Sequence, residues 1–449
     1  MSVTREQCAD RAVEAPSGGA GPRTYPMSYE QEGLWLDDLV VDGPSRYLEH
    51  LAYRLSGPLD VEALEWALGQ VLERHEVLRS RLTEVQGKPV QIVTEPGPVR
   101  LTRHHCSAAD LPAELSRINT VPLDLDTAPL RPWLVDVAPD EFVLVVQFHH
   151  AVIDDWTLNI FQRELMHFYD ARVTGRPAEL EPLRVQAGEL ALAQRAAGLA
   201  PADMEFWRER VRNAPVSCTV PPDRPAPEEE PHRNGRHTFW IGPEVGRSIR
   251  TACRALRTTP FTVFAGAMAV LLWEYGRADE VIFGTPVSLR SAAEVDDVIG
   301  CLTNPLPIRL AVSRDVTFRT LLEATRAEIL EVLDHRAVPY SSLVRMRREG
   351  NDFDLPPLFD AGLVLDDMRW EPFALHAVAA ERIYLLPGKA KHAVNFSLMA
   401  DEHGGYAGFC DYDADVYLAS TMVRVTDRFV AVLAHHTAAL DEPLGRRGA

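Results

Sequence analysis

The sequence lacks an excess of positive charge. Its 46 Lys and Arg residues are outnumbered by 65 Asp and Glu residues, which gives a formal net charge of −19 at pH 7. Nucleic acids and anionic membranes attract proteins through basic faces, because both carry dense negative charge. We therefore expect neither nucleic acid nor membrane among the partners of this protein.

Long apolar runs are also missing. The longest, from about Val263 to Trp273, is far shorter than the roughly 18 residues that a bilayer-spanning helix needs. The N-terminal stretch contains no apolar signal region. The six cysteines include no C-x-x-C spacing, which argues against a zinc site and for reduced thiols. These absences predict a metal-free protein of the cytoplasm.

A buried strand that ends in two histidines is the most informative stretch that is present. Residues 141–148 are almost continuously apolar and β-branched, as is typical of a strand buried on both faces. Successive strand side chains point to opposite faces, so His149 and His150 cannot do the same job. Asp154 follows in a tight connection, and a helix begins immediately after it. The pattern predicts one histidine in the packed interior and one facing a cleft.

Two other histidine pairs lack this setting. His104-His105 precedes a polar loop, and His435-His436 lies in an alanine-rich stretch near the C-terminus. Neither pair combines a strand end, a following aspartate and an immediate helix start. We expect both pairs to face solvent or to cap helices.

The motif His149-His150-x-x-x-Asp154 resembles the active-site motif of the condensation domains of nonribosomal peptide synthetases, which belong to the chloramphenicol-acetyltransferase-like superfamily. The resemblance recurs in order from about Tyr25 to about Leu433. Five further stretches carry it: 27–35 is similar to S-x-A-Q-x-R-L-W, 74–79 to R-H-E-x-L-R, 283–290 to G-T-P-V-x-x-R, 299–304 to I-G-x-F-V-N and 335–340 to H-Q-x-x-P-F.

Length and composition fit two lobes. A chain of 449 residues with 46% hydrophobic content can bury two sizeable cores, and both halves mix strand and helix patterns, so the fold class is mixed α/β. The resemblance implies two chloramphenicol-acetyltransferase-like lobes that form a V-shaped pseudo-dimer with an active-site tunnel at their junction. We expect a disordered tail at 1–24, an N-terminal lobe with the motif at 25–214, a proline-rich connection at 215–232 and a C-terminal lobe at 233–449.

The resemblance also implies roles for individual residues. His150 is the candidate to accept or position the proton of the nucleophile, since a neutral imidazole can serve as a base near neutral pH. His149 is expected to be structural, and Asp154 is expected to pair with Arg290. The alternative for Arg290 is a solvated arginine beside Glu294. Weaker assignments to the substrate tunnel are Trp156, Asn304 and Ser28.

One residue of the motif departs from the family pattern. Asp155 stands where the family usually has glycine after the motif aspartate, and Thr157 replaces the serine that follows. The extra carboxylate could raise the pKa of His150, narrow the tunnel, or cap the following helix. We favour the capping role, with Asp155 or Thr157 as the N-cap.

The favoured function is that of a free-standing condensation enzyme in nonribosomal peptide or antibiotic biosynthesis, because 449 residues leave no room for an adenylation or carrier domain. The resemblance implies no bound cofactor. The acyl donor would arrive on the phosphopantetheine of a peptidyl carrier protein in trans, and the acceptor would be a small-molecule amine or alcohol. Alternatives are an acyltransferase that uses acyl-CoA, an epimerisation domain, which the pattern at 299–304 disfavours, and a catalytically silent recruitment module.

A local basic cluster suggests where the carrier docks. The cluster comprises Arg336, Arg345, Arg347 and Arg348, with only Glu349 and Asp352 nearby to offset it in this acidic chain. Carrier domains are usually acidic, so a basic patch would orient the encounter. The alternative is an ordinary solvated helix face.

Overall fold

A computed structural model describes residues 22–40, 45–212, 214–215, 219–225, 232–276, 278–349, 357–368 and 370–445. The chain forms two compact units, each with its own core. The first unit comprises 1–198, 288–303 and 368–388, and the second comprises 199–287, 304–367 and 389–449. Both units combine sheets and helices, so the predicted mixed α/β class is confirmed.

The first unit contains two sheets. Its strands are β1 (Thr24–Pro26), β2 (Leu48–Ser56), β3 (Ser80–Val85), β4 (Lys88–Val93), β5 (Thr102–His105), β6 (Leu130–Ala138), β7 (Glu141–His149) and, far along the chain, β12 (Ala379–Ile383). The larger sheet has the order β12-β2-β7-β6-β5, and the smaller one the order β1-β4-β3. β7 is thus the central strand, and it pairs with β2 and β6 in antiparallel fashion. This central position explains its continuous apolar sequence.

Among the described residues, the α-helices that accompany these sheets are α1 (Tyr29–Leu39), α2 (Val61–Arg74), α3 (Leu111–Asn119), α4 (Asp155–Thr174) and α5 (Ala187–Ala197). Two of them show why the sequence folds locally as predicted. The Asp60 side chain accepts a hydrogen bond from the N–H of Ala63 and caps α2. Gly175, at φ 70°, ends α4 in the left-handed conformation that glycine adopts without strain.

The second unit is built on one six-stranded sheet. Its order is β10-β9-β11-β13-β14-β8, formed by β8 (Asn234–Ile241), β9 (Glu280–Ser288), β10 (Thr303–Ala311), β11 (Ala361–Asp366), β13 (Val394–Ala400) and β14 (Tyr406–Asp413). The helices are α6 (Pro201–Arg212), α7 (Pro243–Leu256), α8 (Pro260–Tyr275), α9 (Phe318–Asp334), α10 (Tyr340–Arg348) and α11 (Ala419–Ala438). The predicted start of α8 is confirmed, since the Thr259 side chain caps it.

The predicted division of the chain needs correction. The first segment of the first unit ends at Gly198 instead of residue 214, and two later segments, 288–303 and 368–388, also belong to this unit. The physical reason for the later return is β12, which pairs with β2 from Ala379↔Ser56 to Ile383↔Ala52. Contacts among residues distant in sequence, and not composition along the chain, determine the units.

Two further expectations fall partly outside the described residues. Positions 1–21 of the predicted tail are not described, but Thr24 begins β1 instead of belonging to a disordered segment. Within the predicted connection, 216–218 and 226–231 are not described. The described part packs onto the second unit, because Val220 is buried and its carbonyl accepts a hydrogen bond from the hydroxyl of Tyr417 at 2.8 Å.

Within the described part of the chain, no single helix is both long and apolar enough to cross a membrane. Only α7 and α8 taken together meet that criterion, and they are bent by 107° relative to each other.

Candidate active site

The histidine motif lies where the central strand of the first unit ends. β7 ends at His149, and a single 3-10 turn, His150–Val152, leads from it to α4. Backbone hydrogen bonds hold both histidines: the N–H of His149 donates to Pro129 O at 2.9 Å, and that of His150 donates to Tyr47 O at 2.8 Å. The sheet thus fixes the backbone of the motif.

His149 is fully buried, and both of its ring nitrogens are engaged. Nδ1 lies 3.1 Å from the N–H of Ala151, from which it accepts a hydrogen bond. The proton is therefore on Nε2, which donates to Asp38 Oδ2 at 2.7 Å and lies 3.3 Å from Ser45 Oγ. A ring held in this way is a structural element of the site. The sequence did not point to Asp38, since no motif connects it with His149.

His150 has a different environment. It is only half-buried, and its Nδ1 lies 3.9 Å from Sγ of Cys301, at the edge of hydrogen-bond range for sulfur. Cys301 occupies the variable position of the stretch at 299–304. The resemblance of that stretch to the family pattern is the signal that could have placed Cys301 near the motif. The two adjacent histidines therefore have different surroundings, because His149 ends the strand and His150 begins the 3-10 turn.

Asp154 connects three parts of the site. Its Oδ1 accepts from the N–H of Thr157 at 2.9 Å, and its Oδ2 accepts from the N–H of Leu302 at 2.9 Å. The nearest atom of Arg290, Nη2, lies 3.8 Å from Oδ1, which is ion-pair distance rather than hydrogen-bond distance. With a side chain only 1% exposed, Asp154 braces α4 against the segment around Leu302.

Arg290 is not the solvated arginine of the alternative interpretation. Its side chain is 7% exposed, and its guanidinium donates to the carbonyl oxygens of Val295 and Val298. Burial lowers the pKa of the guanidinium, and the charge of Asp154 opposes that effect. Arg290 therefore holds the segment 295–298 as well as the motif aspartate.

The expected capping role of Asp155 or Thr157 needs correction, because Asp154 is the N-cap of α4. Thr157 completes a capping box, in which its Oγ1 accepts from the N–H of Asp154 at 2.7 Å. Asp155 is the first residue of the helix and is exposed. The positive end of the helix dipole favours a carboxylate at this position.

The three weaker candidates have defined contacts. Trp156 is 44% exposed, and its Nε1 donates to Asp296 O at 2.9 Å. Ser28 is the N-cap of α1, and its Oγ accepts from the N–H of Gln31 at 3.1 Å. These contacts engage Ser28 in the local structure, whereas the Trp156 side chain remains partly exposed.

Asn304 belongs to the second unit and is buried there. Its Nδ2 donates to the carbonyl oxygens of Arg336 and Val338 at 3.0 and 2.7 Å, and its Oδ1 accepts from the N–H of Tyr340 at 3.0 Å. The whole amide is therefore engaged in holding the loop between α9 and α10.

The predicted basic cluster is smaller than the sequence suggested. Arg347 is 6% exposed, and its Nη1 donates to the carbonyl of Pro357 at 2.9 Å, so it cannot contribute to a docking surface. Arg336 is half-buried and donates to a carbonyl of α9. Only Arg345 and Arg348 of this set are exposed.

The expectation for the pair His435-His436 also needs correction at one position. His436 is 3% exposed and packs against Phe318, with 5.4 Å between the ring centroids, so it neither faces solvent nor caps a helix. Among the described residues there is no group of three or more His, Cys, Asp or Glu side chains arranged to hold a metal ion.

Comparison with known proteins adds family information. Residues 22–447 match the family model described as Condensation domain. A curated relative, the probable non-canonical nonribosomal peptide synthetase CymA of Salinispora arenicola, is 31% identical over 449 residues. That alignment covers 97% of this chain and 6% of the relative, so the chain spans a small part of its length.

Solved structures are similar over almost the whole chain. The X-domain from teicoplanin biosynthesis is 25% identical with a TM-score of 0.87, and the alignment covers 97% of this chain and 99% of that chain. The same X-domain in a complex with OxyB gives a TM-score of 0.86 at 25% identity, covering 98% of both chains. SgcC5 of Streptomyces globisporus, in complex with (R)-(-)-1-(2-naphthyl)-1,2-ethanediol and sucrose, is 25% identical with a TM-score of 0.74, covering 93% and 100%.

Proposed function

The chain belongs to the condensation-domain family, and from this premise we propose that it transfers an acyl or aminoacyl group from a carrier-tethered thioester to an amine or alcohol. The observation that carries the proposal is the contrast between the two motif histidines. His149 has both ring nitrogens engaged in buried hydrogen bonds, whereas His150 is half-buried at the turn that follows the strand. Of these two histidines, His150 is the one that is exposed enough to act on a substrate.

In the proposed reaction, the nitrogen or oxygen of the acceptor attacks the thioester carbonyl. The new C–N or C–O bond forms as the C–S bond breaks, and the acceptor proton passes through His150 to the leaving thiolate. A neutral imidazole suits this step because its ordinary pKa lies near the pH of the reaction. Asp154 and Arg290 act indirectly, since their contacts hold the turn on which His150 lies.

We expect the donor to be a phosphopantetheine thioester on a separate peptidyl carrier protein. The match to CymA supports this proposal, because that relative is described as a nonribosomal peptide synthetase. An acyl-CoA donor would carry the same pantetheine thioester without the protein. Rates with loaded carrier and with free acyl-pantetheine therefore distinguish the two donors.

An alcohol acceptor has specific support. SgcC5 is described in complex with a naphthyl ethanediol, and its structure is similar to 93% of the present chain. We therefore propose that the acceptors to be tested include diols as well as amines. An amine acceptor would give an amide product, and an alcohol acceptor would give an ester.

Recruitment of a partner protein is the second candidate function. The X-domain of teicoplanin biosynthesis has been described in a complex with OxyB, and it gives a TM-score of 0.87 with this chain. The exposed Asp155, where the family usually has glycine, also departs from the active-site pattern. A recruitment module would bind a carrier or partner protein but would show no acyl transfer.

A turnover assay with matched histidine variants tests the proposal. The full chain is incubated with aminoacyl-loaded carrier proteins and a panel of amines and diols, and products are identified by mass spectrometry. We expect His150→Ala to lower the rate by about two to four orders of magnitude, as removal of a general base does. His105→Ala is the control, because that side chain is 76% exposed on β5 and should leave the rate unchanged.

Two results would count against catalysis by His150. A His150→Ala rate within about tenfold of wild type would remove the residue from the proposed role. Absence of product from the wild type with every donor and acceptor, together with measurable binding of the carrier, would favour the recruitment function. Circular dichroism of both variants establishes that the fold is intact.

A further inference from the structure

Cys301 lies beside the ring of the catalytic candidate, and no motif role explains it. Its Sγ lies 3.9 Å from Nδ1 of His150, although the two residues are 151 positions apart in the chain. Cys301 is buried, with 5% exposure, and it precedes Leu302, whose N–H binds Asp154. The segment that braces the motif aspartate thus also presents a sulfur to the ring of His150.

The surroundings of this sulfur are electrically negative. Burial raises the pKa of the Cys301 thiol, the charges of Asp154 and Glu30 raise it further, and hydrogen bonds from Thr303 act in the opposite direction. The group therefore remains a thiol at neutral pH. The same two carboxylates make the potential at the sulfur negative. A negative potential favours a ring nitrogen of His150 that points an N–H at the sulfur over one that points a lone pair at it.

Glu30 is an unusual contributor to this field. It stands where the family pattern of this stretch has alanine, and it is 8% exposed. Its Oε2 accepts from Nε2 of Gln194 at 2.9 Å, whereas its Oε1 is buried without a hydrogen-bond partner. Burial raises the pKa of this carboxyl above its ordinary value. Burial of a carboxyl costs free energy that hydrogen bonds must offset, so Glu30 is not a simple packing replacement for alanine.

We propose that Cys301 is a positioning residue for His150: its sulfur accepts a hydrogen bond from Nδ1–H and thereby fixes the tautomer in which Nε2 is unprotonated. This inference rests on the proposed function, in which His150 accepts the proton of the acceptor. A base takes up the proton on a nitrogen that carries none, and a hydrogen bond donated by Nδ1–H leaves Nε2 as that nitrogen. Sulfur is a weak acceptor, and the negative charges of Asp154 and Glu30 strengthen its interaction with an N–H donor.

The inference predicts a tautomer, which nitrogen NMR can identify without any substrate. Protein labelled with ¹⁵N-histidine is compared with the His150→Gln variant to assign the ring of His150. We expect the wild type to carry the proton on Nδ1. In Cys301→Ala, the population of that tautomer should fall by about threefold or more, because neutral imidazole in water prefers the proton on Nε2.

Cys410→Ala is the matched control. Cys410 is also a buried free thiol, but it lies on β14 in the second unit, where its Sγ is 3.8 Å from Sδ of Met422. The substitution removes the same atom from a core and should leave the His150 signals unchanged. Glu30→Ala introduces the residue of the family pattern, and it should shift the tautomer in the same direction as Cys301→Ala but less strongly.

A wild-type ring with its proton on Nε2, or a His150 spectrum unchanged in Cys301→Ala, would overturn the inference. Its failure and that of the proposed function are distinguishable, because the spectrum requires no turnover. In the turnover assay, Cys301→Ala should lower kcat several-fold with little change in KM, since it alters His150 and not the binding of substrate. An unchanged kcat alongside a changed tautomer would refute the catalytic consequence.

Discussion

Adjacent residues acquire different chemistry here because of their local geometry. His149 is the last strand residue, and its ring is engaged by Ala151 and Asp38. His150 begins the following turn, where it is half-buried beside Cys301. The alternation of strand side chains predicted that the two histidines would differ. It could not identify Asp38 or Cys301, which lie 111 and 151 positions away from the histidines they contact.

His436 makes a pH-dependent contribution to stability that can be measured. Burial, then His435 and Arg428, lower its pKa from 6.5 to about 4. The unfolded chain therefore binds one more proton than the folded chain between these pH values, so stability falls as the pH is lowered through this window. The loss attributable to His436 should be about 2 kcal/mol between about pH 7 and about pH 5.

His436→Phe tests that contribution. Phenylalanine can keep the contact with Phe318 but does not titrate, so the variant should lose less stability than wild type on acidification. Urea unfolding at the two pH values gives the comparison. The remaining dependence should include His50, whose pKa burial also lowers to about 4. Equal losses in variant and wild type would contradict the prediction.

At the scale of the element, the N-terminus of α4 supports the whole site. Asp154 caps the helix, accepts from Leu302 and neutralises Arg290, so three structural features depend on one carboxylate. Local signals in the sequence predicted the strand, the turn and the helix, because each is determined within a few residues. The choice of Asp154 instead of Asp155 as N-cap was not predictable, since it depends on how the turn leaves the sheet.

Asp154→Ala and Thr157→Ala should therefore differ strongly. Thr157→Ala removes one partner of the capping box, which typically costs about 1 kcal/mol. Asp154→Ala also leaves the N–H of Leu302 without its acceptor and removes the ion-pair partner of the buried Arg290, so we expect it to cost about 3 kcal/mol more. Urea unfolding measures both. An Asp154→Ala variant as stable as Thr157→Ala, but inactive, would argue for direct participation of the carboxylate in catalysis.

At the scale of the whole molecule, the chain returns to its first unit twice after entering the second. The proline-rich composition at 215–232 suggested two consecutive lobes, but 288–303 and 368–388 belong to the first unit. The strand β12 has the sequence Ala-Ala-Glu-Arg-Ile, whose charged residues give no clear strand pattern. Its pairing with β2 is a long-range contact, which periodicity along the chain cannot reveal.

Gly57 provides a test of how closely the returning segment packs. Its φ is +133°, and a Cβ there would lie 2.6 Å from the carbonyl oxygen of Ala377 in the segment 368–388. Gly87, at φ +75°, serves as the control, because a Cβ at that residue would have nothing within 4 Å. Alanine at Gly87 should cost about 1 kcal/mol through backbone strain, and alanine at Gly57 about 2 kcal/mol more. Equal losses in urea unfolding would show that the segment does not restrict Gly57.

The proposed docking of an acidic carrier onto this acidic chain would require a local positive surface. Arg345 and Arg348 are the exposed members of the predicted cluster. The double variant Arg345→Glu/Arg348→Glu should therefore raise KM for the loaded carrier several-fold. Added salt should weaken docking in the wild type. Arg254→Glu/Arg314→Glu is the matched control, because both arginines are exposed in the same unit and the change in net charge is identical. Free acyl-pantetheine lacks the carrier surface, so its KM should be unaffected.

If both double variants raised KM equally, the overall charge and not this surface would determine the encounter. If free acyl-pantetheine served as well as the loaded carrier, the donor would be a small thioester.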